Sequence, residues 1–334
     1  SEVKLPVYHN SSYENQILIL FLTHGYKYSL INSNNLYSGG SMKHLLSLAV
    51  IIVAGLSACT QKERYHDTFV EDFSSSSSKI FKHNTFGDGD AFRYAYGVES
   101  PSEKGTKVLS FRIDPEGPAG AGKGPEVISK NFTHFGTYTA RLKVPDIRDI
   151  QPDAGVVVGY FTYHMDSDPG LSEIDWEWLI ADPEVIYVGT WTGPRGDLRR
   201  IGRTINMAKG IIYNTSYREN LSGVRRQLTG IQSQPDTIPA IEGYDASSQF
   251  YTYGFDWHPD RIRWWLIHPV TADTVVLWDY KGSLEGIPQN KTHYRMNFWH
   301  TNNWPVETNP NSIEKPLHPY ELEIDWMSYD PLKK

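Results

Sequence analysis

Short segments in which apolar and polar residues alternate run through most of this chain, and no long stretch carries the spacing of an amphipathic helix. In GTYTARLKV (136–144), Tyr138, Ala140, Leu142 and Val144 fall on one side and polar residues mostly on the other, which is the period of a strand. The same pattern predicts strands over 106–113, 126–132, 154–163, 172–180, 184–191, 250–257, 261–267, 274–280, 294–300 and 321–329. Gly, Pro, Asn and Asp separate these segments, as antiparallel connections require. The chain is therefore expected to be all-β, an antiparallel sandwich or barrel in one large domain. Residues 192–249 mix Gly, Arg, Asn and Ser with brief apolar patches, and they read as long loops.

One strand is unusual. GLSEIDWEWLIAD (170–182) sets Glu173, Asp175 and Glu177 at every second position between Ile174, Trp176 and Trp178. On a strand the acids share one face and the apolar residues the other. The apolar set can enter a core, whereas three unpaired carboxylates in a dry interior would each cost several kcal/mol. Mutual repulsion raises the pKa of at least one acid, which is how a protein keeps one carboxyl protonated beside an ionised one. Positions i and i+4 lie about 13 Å apart along a strand, so two glutamates leaning inward could approach the roughly 5 to 5.5 Å of a retaining glycosidase. A solvated strand face is the alternative, although like charges aligned on one face destabilise it.

Composition narrows the class. The formal net charge of −7 and the absence of a long basic run give no reason to expect nucleic acid as a partner. The single cysteine, Cys59, rules out an intrachain disulfide and a multi-cysteine metal site. It closes the segment MKHLLSLAVIIVAGLSAC, with Lys43 at its basic start and an apolar run from Leu45 to Leu56. That run is too short for a membrane span but suits a cleaved signal. The segment resembles a bacterial lipoprotein signal, which implies a signal peptide over 42–58, lipidation at Cys59 and anchoring in the cell envelope. Residues 1–41 are then expected to be an upstream start-site artefact or extension, and 59–68 a tether.

The acid triplet in Ser172-Glu173-Ile174-Asp175-Trp176-Glu177 resembles the Glu-x-Asp-x-Glu signature of family 16 glycoside hydrolases, the lichenase, laminarinase, agarase and xyloglucan-transferase group. Phe69–Phe73 is similar to the opening strand of that family, and Gly124–Ser129 and Phe135–Lys143 are similar to its first core strands. The run from Phe250 to Ile262 resembles its "F-x-x-Y-x-x-x-W-x-P-x-x-I" segment, and Met296–Trp299 its late "N-x-W" strand. The likeness covers about 69–331, which it marks as the catalytic domain. It implies a concanavalin A-like β-jelly-roll sandwich of two antiparallel sheets with a concave substrate cleft. It also implies Glu173 as nucleophile, Glu177 as general acid/base and Asp175 as the residue that orients and tunes the nucleophile. Laminarinase- and agarase-like members usually carry an extra residue before the last glutamate; here there is none. Lichenase- and xyloglucan-transferase-like members usually carry Trp-Asp or His-Asp before the first glutamate, where Leu171-Ser172 stand.

Aromatic rings stack on pyranose faces, and planar polar groups meet sugar hydroxyls. The candidates for such contacts are Trp191, Trp299 and Trp304, with Asn297, Tyr163 and His164 as polar partners; Trp299 and Asn297 lie in the family-like strand, and for the rest core or rim positions stay open. Trp176, Trp178, Trp264 and Trp326 are assigned mainly to packing. Arg195, Arg199, Arg200 and Arg203 form a basic cluster that suits a sulfate or carboxylate, or simply a solvated loop. GPAGAGKG (117–124) lacks the Ser or Thr of a phosphate loop and reads as a surface turn. In ELEIDWMSYD (321–330), Glu323, Asp325 and Trp326 echo the triplet, but Met327 stands where the last acid would be. The histidines form no tight ligand pattern, so no catalytic metal or other cofactor is expected, and a structural calcium cannot be read.

The expected activity is a retaining, endo-acting glycoside hydrolase for a β-linked polysaccharide, a β-1,3- or mixed-linkage β-1,3-1,4-glucan, in a monomer reaching the membrane only through its lipid. The alternatives are a hydrolase of galactan, sulfated or not, a transglycosylase, and a glycan-binding protein on the same scaffold.

Overall fold

A computed structural model describes residues 63–84, 92–113, 124–146, 156–220, 223–300 and 319–333. The 1–41 stretch, the 42–58 signal, Cys59 and Trp304 lie outside the described residues.

Numbered in chain order, nine strands form one sheet. Across it run β12 (Arg225–Gln227), β11 (Ile211–Glu219), β10 (Arg199–Asn206), β9 (Val185–Gly193), β8 (Leu171–Leu179), β7 (Val156–Met165), β16 (His293–His300), β5 (Glu126–Ser129) and β2 (Phe81–Asn84). The second sheet runs β15 (Thr274–Lys281), β14 (Arg261–Ile267), β13 (Tyr251–His258), β6 (Gly136–Lys143), β17 (Tyr320–Pro331), β4 (Lys107–Ile113) and β3 (Phe92–Glu99), with β1 (Phe69–Glu71) also on β17. The strand pairs are antiparallel, and two short 3-10 turns are the only helical elements among the described residues. This is the jelly-roll sandwich that the alternation and the family likeness predict.

The sheets meet through one aromatic-rich core. Trp176 and Trp178 of β8 stack at 5.7 Å between centroids and pack on Tyr253 of β13 at 5.1 and 4.8 Å. Trp264 of β14 stacks on Trp278 of β15 at 5.0 Å and donates from Nε1 to the backbone oxygen of Asp175 at 3.2 Å. Offset stacking and edge contacts suit the ring quadrupoles, and a buried indole N–H needs such an acceptor. β8 is thus gripped from the inside at the middle of its acid row.

The loop expectation for 192–249 is overturned, because β10, β11, β12 and a 3-10 turn at Gly230–Gln232 fall inside it. Ile201, Arg203 and Ile205 of β10 all point inward and are buried, and the charge at the central position hid the strand pattern. The remaining segment covers the core with Leu228, Ile238, Ile241 and Tyr244. Two smaller departures concern 126–132, where the strand ends at Ser129, and Trp326, which is only half-buried beside a register shift in β17.

Candidate active site

β8 keeps an unbroken register with β7 over all nine of its residues, from Leu171↔Met165 to Leu179↔Val157. No bulge interrupts the acids, so Glu173, Asp175 and Glu177 project together from the outer face while Ile174, Trp176 and Trp178 are buried. The neighbouring strands extend this row into three lines across the sheet. Glu173 lies between Tyr163 and Trp191, Asp175 between Phe161 and Gly189, and Glu177 between Gly159 and Tyr187. On the far side of β7, Arg295 pairs with Phe161 and Asn297 with Gly159.

Two small positions hollow out this face. A Cβ at Gly159 would fall 2.4 Å from Asn297 Oδ1, and one at Gly189 would collide with the Tyr187 hydroxyl. Their missing side chains let Asn297 reach toward Glu177 and let the Tyr187 ring lie across the sheet. Asn297 Oδ1 is buried and, among the described residues, has no hydrogen-bond partner. A polar atom so placed gains most by meeting a ligand donor.

Burial dominates the electrostatics of the row. It pushes Glu173 up to about 8, helped by the charge of Glu177 and opposed by Arg295 and Arg200. It pushes Glu177 up to about 7 against Arg200. Asp175 is raised well above the usual carboxylate range, first by burial and then by the charges of Glu173 and Glu177. The row therefore holds protons at neutral pH and titrates as a unit.

Tyr163, Trp191, Asn297 and Trp299 all lie on the acid-bearing face, with Trp299 packed against Val157 and Leu179 one line beyond Glu177. His164 does not join them. The pleat of β7 turns it away from Glu173, and its Nε2 lies 2.9 Å from Asp166. The arginine cluster is split by the fold. Arg203 is buried, with Nε donating to Thr215 Oγ1 and Nη1 to the carbonyls of Pro235 and Leu277 at 2.9 Å each. Arg200 instead faces outward beside the acid row, and Arg199 lies 3.6 Å from Asp197.

Several contacts of the site escaped the sequence reading, in which Arg200 stands only within a basic cluster and Arg295 and Glu126 have no role. Arg200 donates from Nε to the Tyr187 hydroxyl at 2.9 Å and spans the rings of Tyr187 and Trp191. Arg295 binds Glu126 at 2.7 Å and lies over the Tyr163 ring. Glu126 also accepts from Asn84 at 3.2 Å. Arg200 could not be set beside the acids because β10 reads as loop, whereas Arg295 lies in the expected strand 294–300 and only the pairing of that strand with β7 brings it to the site. The echo in β17 differs in kind. Asp325 is bound to Arg141 at 2.5 Å, and buried Glu323 accepts from Ser100 and Ser102. Its acids are consumed by structural partners, whereas no ion pair joins the β8 acids among the described residues. No cluster of three or more His, Cys, Asp or Glu is arranged to hold a metal among those residues.

No protein-family model matches the sequence. It is 25% identical over 260 residues to a β-glucanase of Acetivibrio thermocellus, covering 77% of this chain and 62% of that enzyme. It is 22% identical over 275 residues to a β-glucanase of Bacillus amyloliquefaciens, covering 78% of this chain and 87% of that one. The chain thus spans about three fifths of the length of the first of these relatives. Among solved structures, a prokaryotic β-1,3-1,4-glucanase (lichenase) from a mouse hindgut metagenome is 19% identical with a TM-score of 0.48, covering 80% of this chain and all of that one.

Proposed function

We propose that this chain, a family 16 glycoside hydrolase by its acid triplet and its β-glucanase relatives, is a retaining endo-hydrolase of a β-1,3- or mixed-linkage β-1,3-1,4-glucan. One observation carries the reading: the unbroken register of β8 sets two glutamates around an aspartate on a single outer face, flanked by aromatic rings and an unsatisfied amide.

The chemistry needs Glu173 ionised and Glu177 protonated. Burial is the largest cause of the raised Glu173 value and the Glu177 charge the second, so a proton on Glu177 removes that second cause and lowers the value, with Arg295 and Arg200 favouring the carboxylate against burial and the Glu126 charge. In the first step a Glu173 oxygen attacks the anomeric carbon as the glycosidic C–O bond breaks, and Glu177 gives its proton to the leaving oxygen. In the second, Glu177 takes a proton from water, whose oxygen attacks the same carbon and expels Glu173. Two inversions retain the β configuration. Asp175, held from behind by Trp264, supports the protonation pattern of its neighbours.

Proton NMR of fresh digests of β-glucans and galactans tests this. The expected result is β-anomer first, from glucans; initial α-anomer would overturn the two-step mechanism. Glu173→Gln is expected to abolish turnover while keeping glucan affinity, and persistent turnover would overturn the nucleophile assignment. A parent that binds glucans and cleaves none would make the protein a glycan-binding module.

The envelope anchor belongs to the same proposal and rests on the Met42–Cys59 segment. Metabolic labelling with palmitate should mark the parent and not Cys59→Ser; equal labelling would remove the anchor.

A further inference from the structure

The outer face continues past the acid row onto β10, β11 and β12, and there its chemistry changes sign. Arg200, Arg218 and Arg225 are direct cross-strand partners in sequence, Arg200↔Arg218 and Arg218↔Arg225. Three arginine side chains therefore leave one face at neighbouring cross-strand positions, the Arg200 guanidinium lying over the Tyr187 and Trp191 rings and Arg218 Nε donating to the Gly223 carbonyl at 3.2 Å. Like charges placed directly opposite one another destabilise a sheet, and an anion between them relieves the repulsion.

The space for one exists. These arginines line a pocket of about 50 Å³ with Asn214 and Ser216, and none of its eight lining residues is acidic. Gly202 floors it, since a Cβ there would collide with the Tyr187 ring at 2.6 Å. A pocket of this size has room for a small anionic group such as a sulfate or carboxylate. Asn214 and Ser216 add neutral polar groups to the guanidinium forks that match such an anion.

Register locates the pocket relative to the acids. Arg200 pairs with Trp191, which pairs with Glu173, and Gly202 pairs with Gly189, which pairs with Asp175. At about 4.8 Å between strands, β10 and β11 lie roughly 10 to 15 Å from β8. That is a few sugar units along a bound chain.

We propose that Arg200, Arg218 and Arg225 form a subsite for an anionic substituent, a sulfate ester or carboxylate, carried by the polysaccharide within a few units of the bond that is cut. This rests on the glycoside hydrolase reading of the acid row. The substrate class is thereby narrowed to a β-glucan bearing scattered anionic groups.

The test compares one β-1,3-glucan in neutral, sulfated and carboxymethylated forms, using the full chain. Binding to Glu173→Gln is read first, because it does not depend on turnover. Sulfated or carboxymethylated glucan is expected to bind at least ten-fold more tightly than neutral glucan, with the difference shrinking as salt is raised. Adding Arg218→Ala and Arg225→Ala should erase that preference and leave neutral-glucan affinity unchanged. Arg226→Ala removes the same charge from the adjacent residue, which faces the Tyr217 ring instead, and should leave the preference intact. Whichever of the two derivatives binds more tightly identifies the substituent. Equal affinity for neutral and charged glucans, or equal losses from Arg225→Ala and Arg226→Ala, would overturn the subsite. Absence of turnover on every glucan alongside an Arg218- and Arg225-dependent preference would overturn the hydrolase reading and keep the subsite.

Discussion

Arg200 lies over the ring of Tyr187, its Cζ 4.7 Å from the centroid and its Nε donating to the phenol oxygen at 2.9 Å. The phenol is in turn placed by two glycines, Gly189 and Gly202, on which no side chain could stand without striking it. A cation is thereby fixed beside three carboxyls that burial would otherwise keep protonated to high pH.

Removing that cation should move the pH dependence of catalysis in one direction. Arg200 lowers the values of Glu173 and Glu177 alike, so Arg200→Met raises both. Ionisation of the nucleophile and loss of the acid's proton then both occur at higher pH. The bell-shaped profile of kcat/KM should shift as a whole to the alkaline side. A profile that falls in height without moving would mean that Arg200 only shapes the cleft.

The acid row should also tax stability at high pH. Glu173 and Glu177 have folded values of about 8 and about 7, above the ordinary 4.5, so the folded state binds more protons than the unfolded chain between those limits. Stability contributed by the protonated forms is full below about pH 4.5 and is lost as pH rises toward 8. Glu173→Gln with Glu177→Gln is therefore expected to raise Tm more at pH 8 than at pH 4. A Tm difference independent of pH would contradict the buried, charge-crowded row.

Gly159 sets the space between Asn297 and Glu177. Gly159→Ala would bring a methyl group 2.4 Å from Asn297 Oδ1 and force the amide to turn. The expected outcome is a drop in kcat/KM of ten-fold or more, with destabilisation of only about 1 to 3 kcal/mol in urea titrations. Unchanged kinetics would show that the amide and this gap play no part in substrate positioning.

Arg203 should behave as a structural residue despite its neighbourhood. Its guanidinium binds Thr215 and the carbonyls of Ser233, Pro235 and Leu277, tying the segment after β12 to β15. Arg203→Met leaves those acceptors unpaired and should cost on the order of 3 kcal/mol. Arg203→Lys should recover little of it, because an ammonium cannot reproduce the planar fork. Neither variant should alter the preference between neutral and anionic glucans.

How far the molecule could be read from its residues differs from strand to strand. β6 and β8 were legible because each alternates strictly, and period two leaves an antiparallel strand one way to face its core. The same rhythm placed Glu173, Asp175 and Glu177 on one face before any fold was known. β10 was illegible because Arg203 occupies the inward position between Ile201 and Ile205. Carbonyls brought in from 233–235 and from β15, with the Thr215 hydroxyl of β11, make that burial tolerable.

His164 and Trp191 mark the same boundary from the other side. Both are chemically suited to a sugar, yet the pleat of β7 sends one away from the acids while pairing of β9 with β8 sets the other against Glu173. The order of residues along each strand determined the two faces, the aromatic core and the spacing of the acids, since these follow from local backbone geometry. Which strands lie side by side was decided only by tertiary structure. That adjacency made the arginine row, the Tyr187 platform and the Asn297 approach, because charge and close contact act through space between residues far apart in the chain.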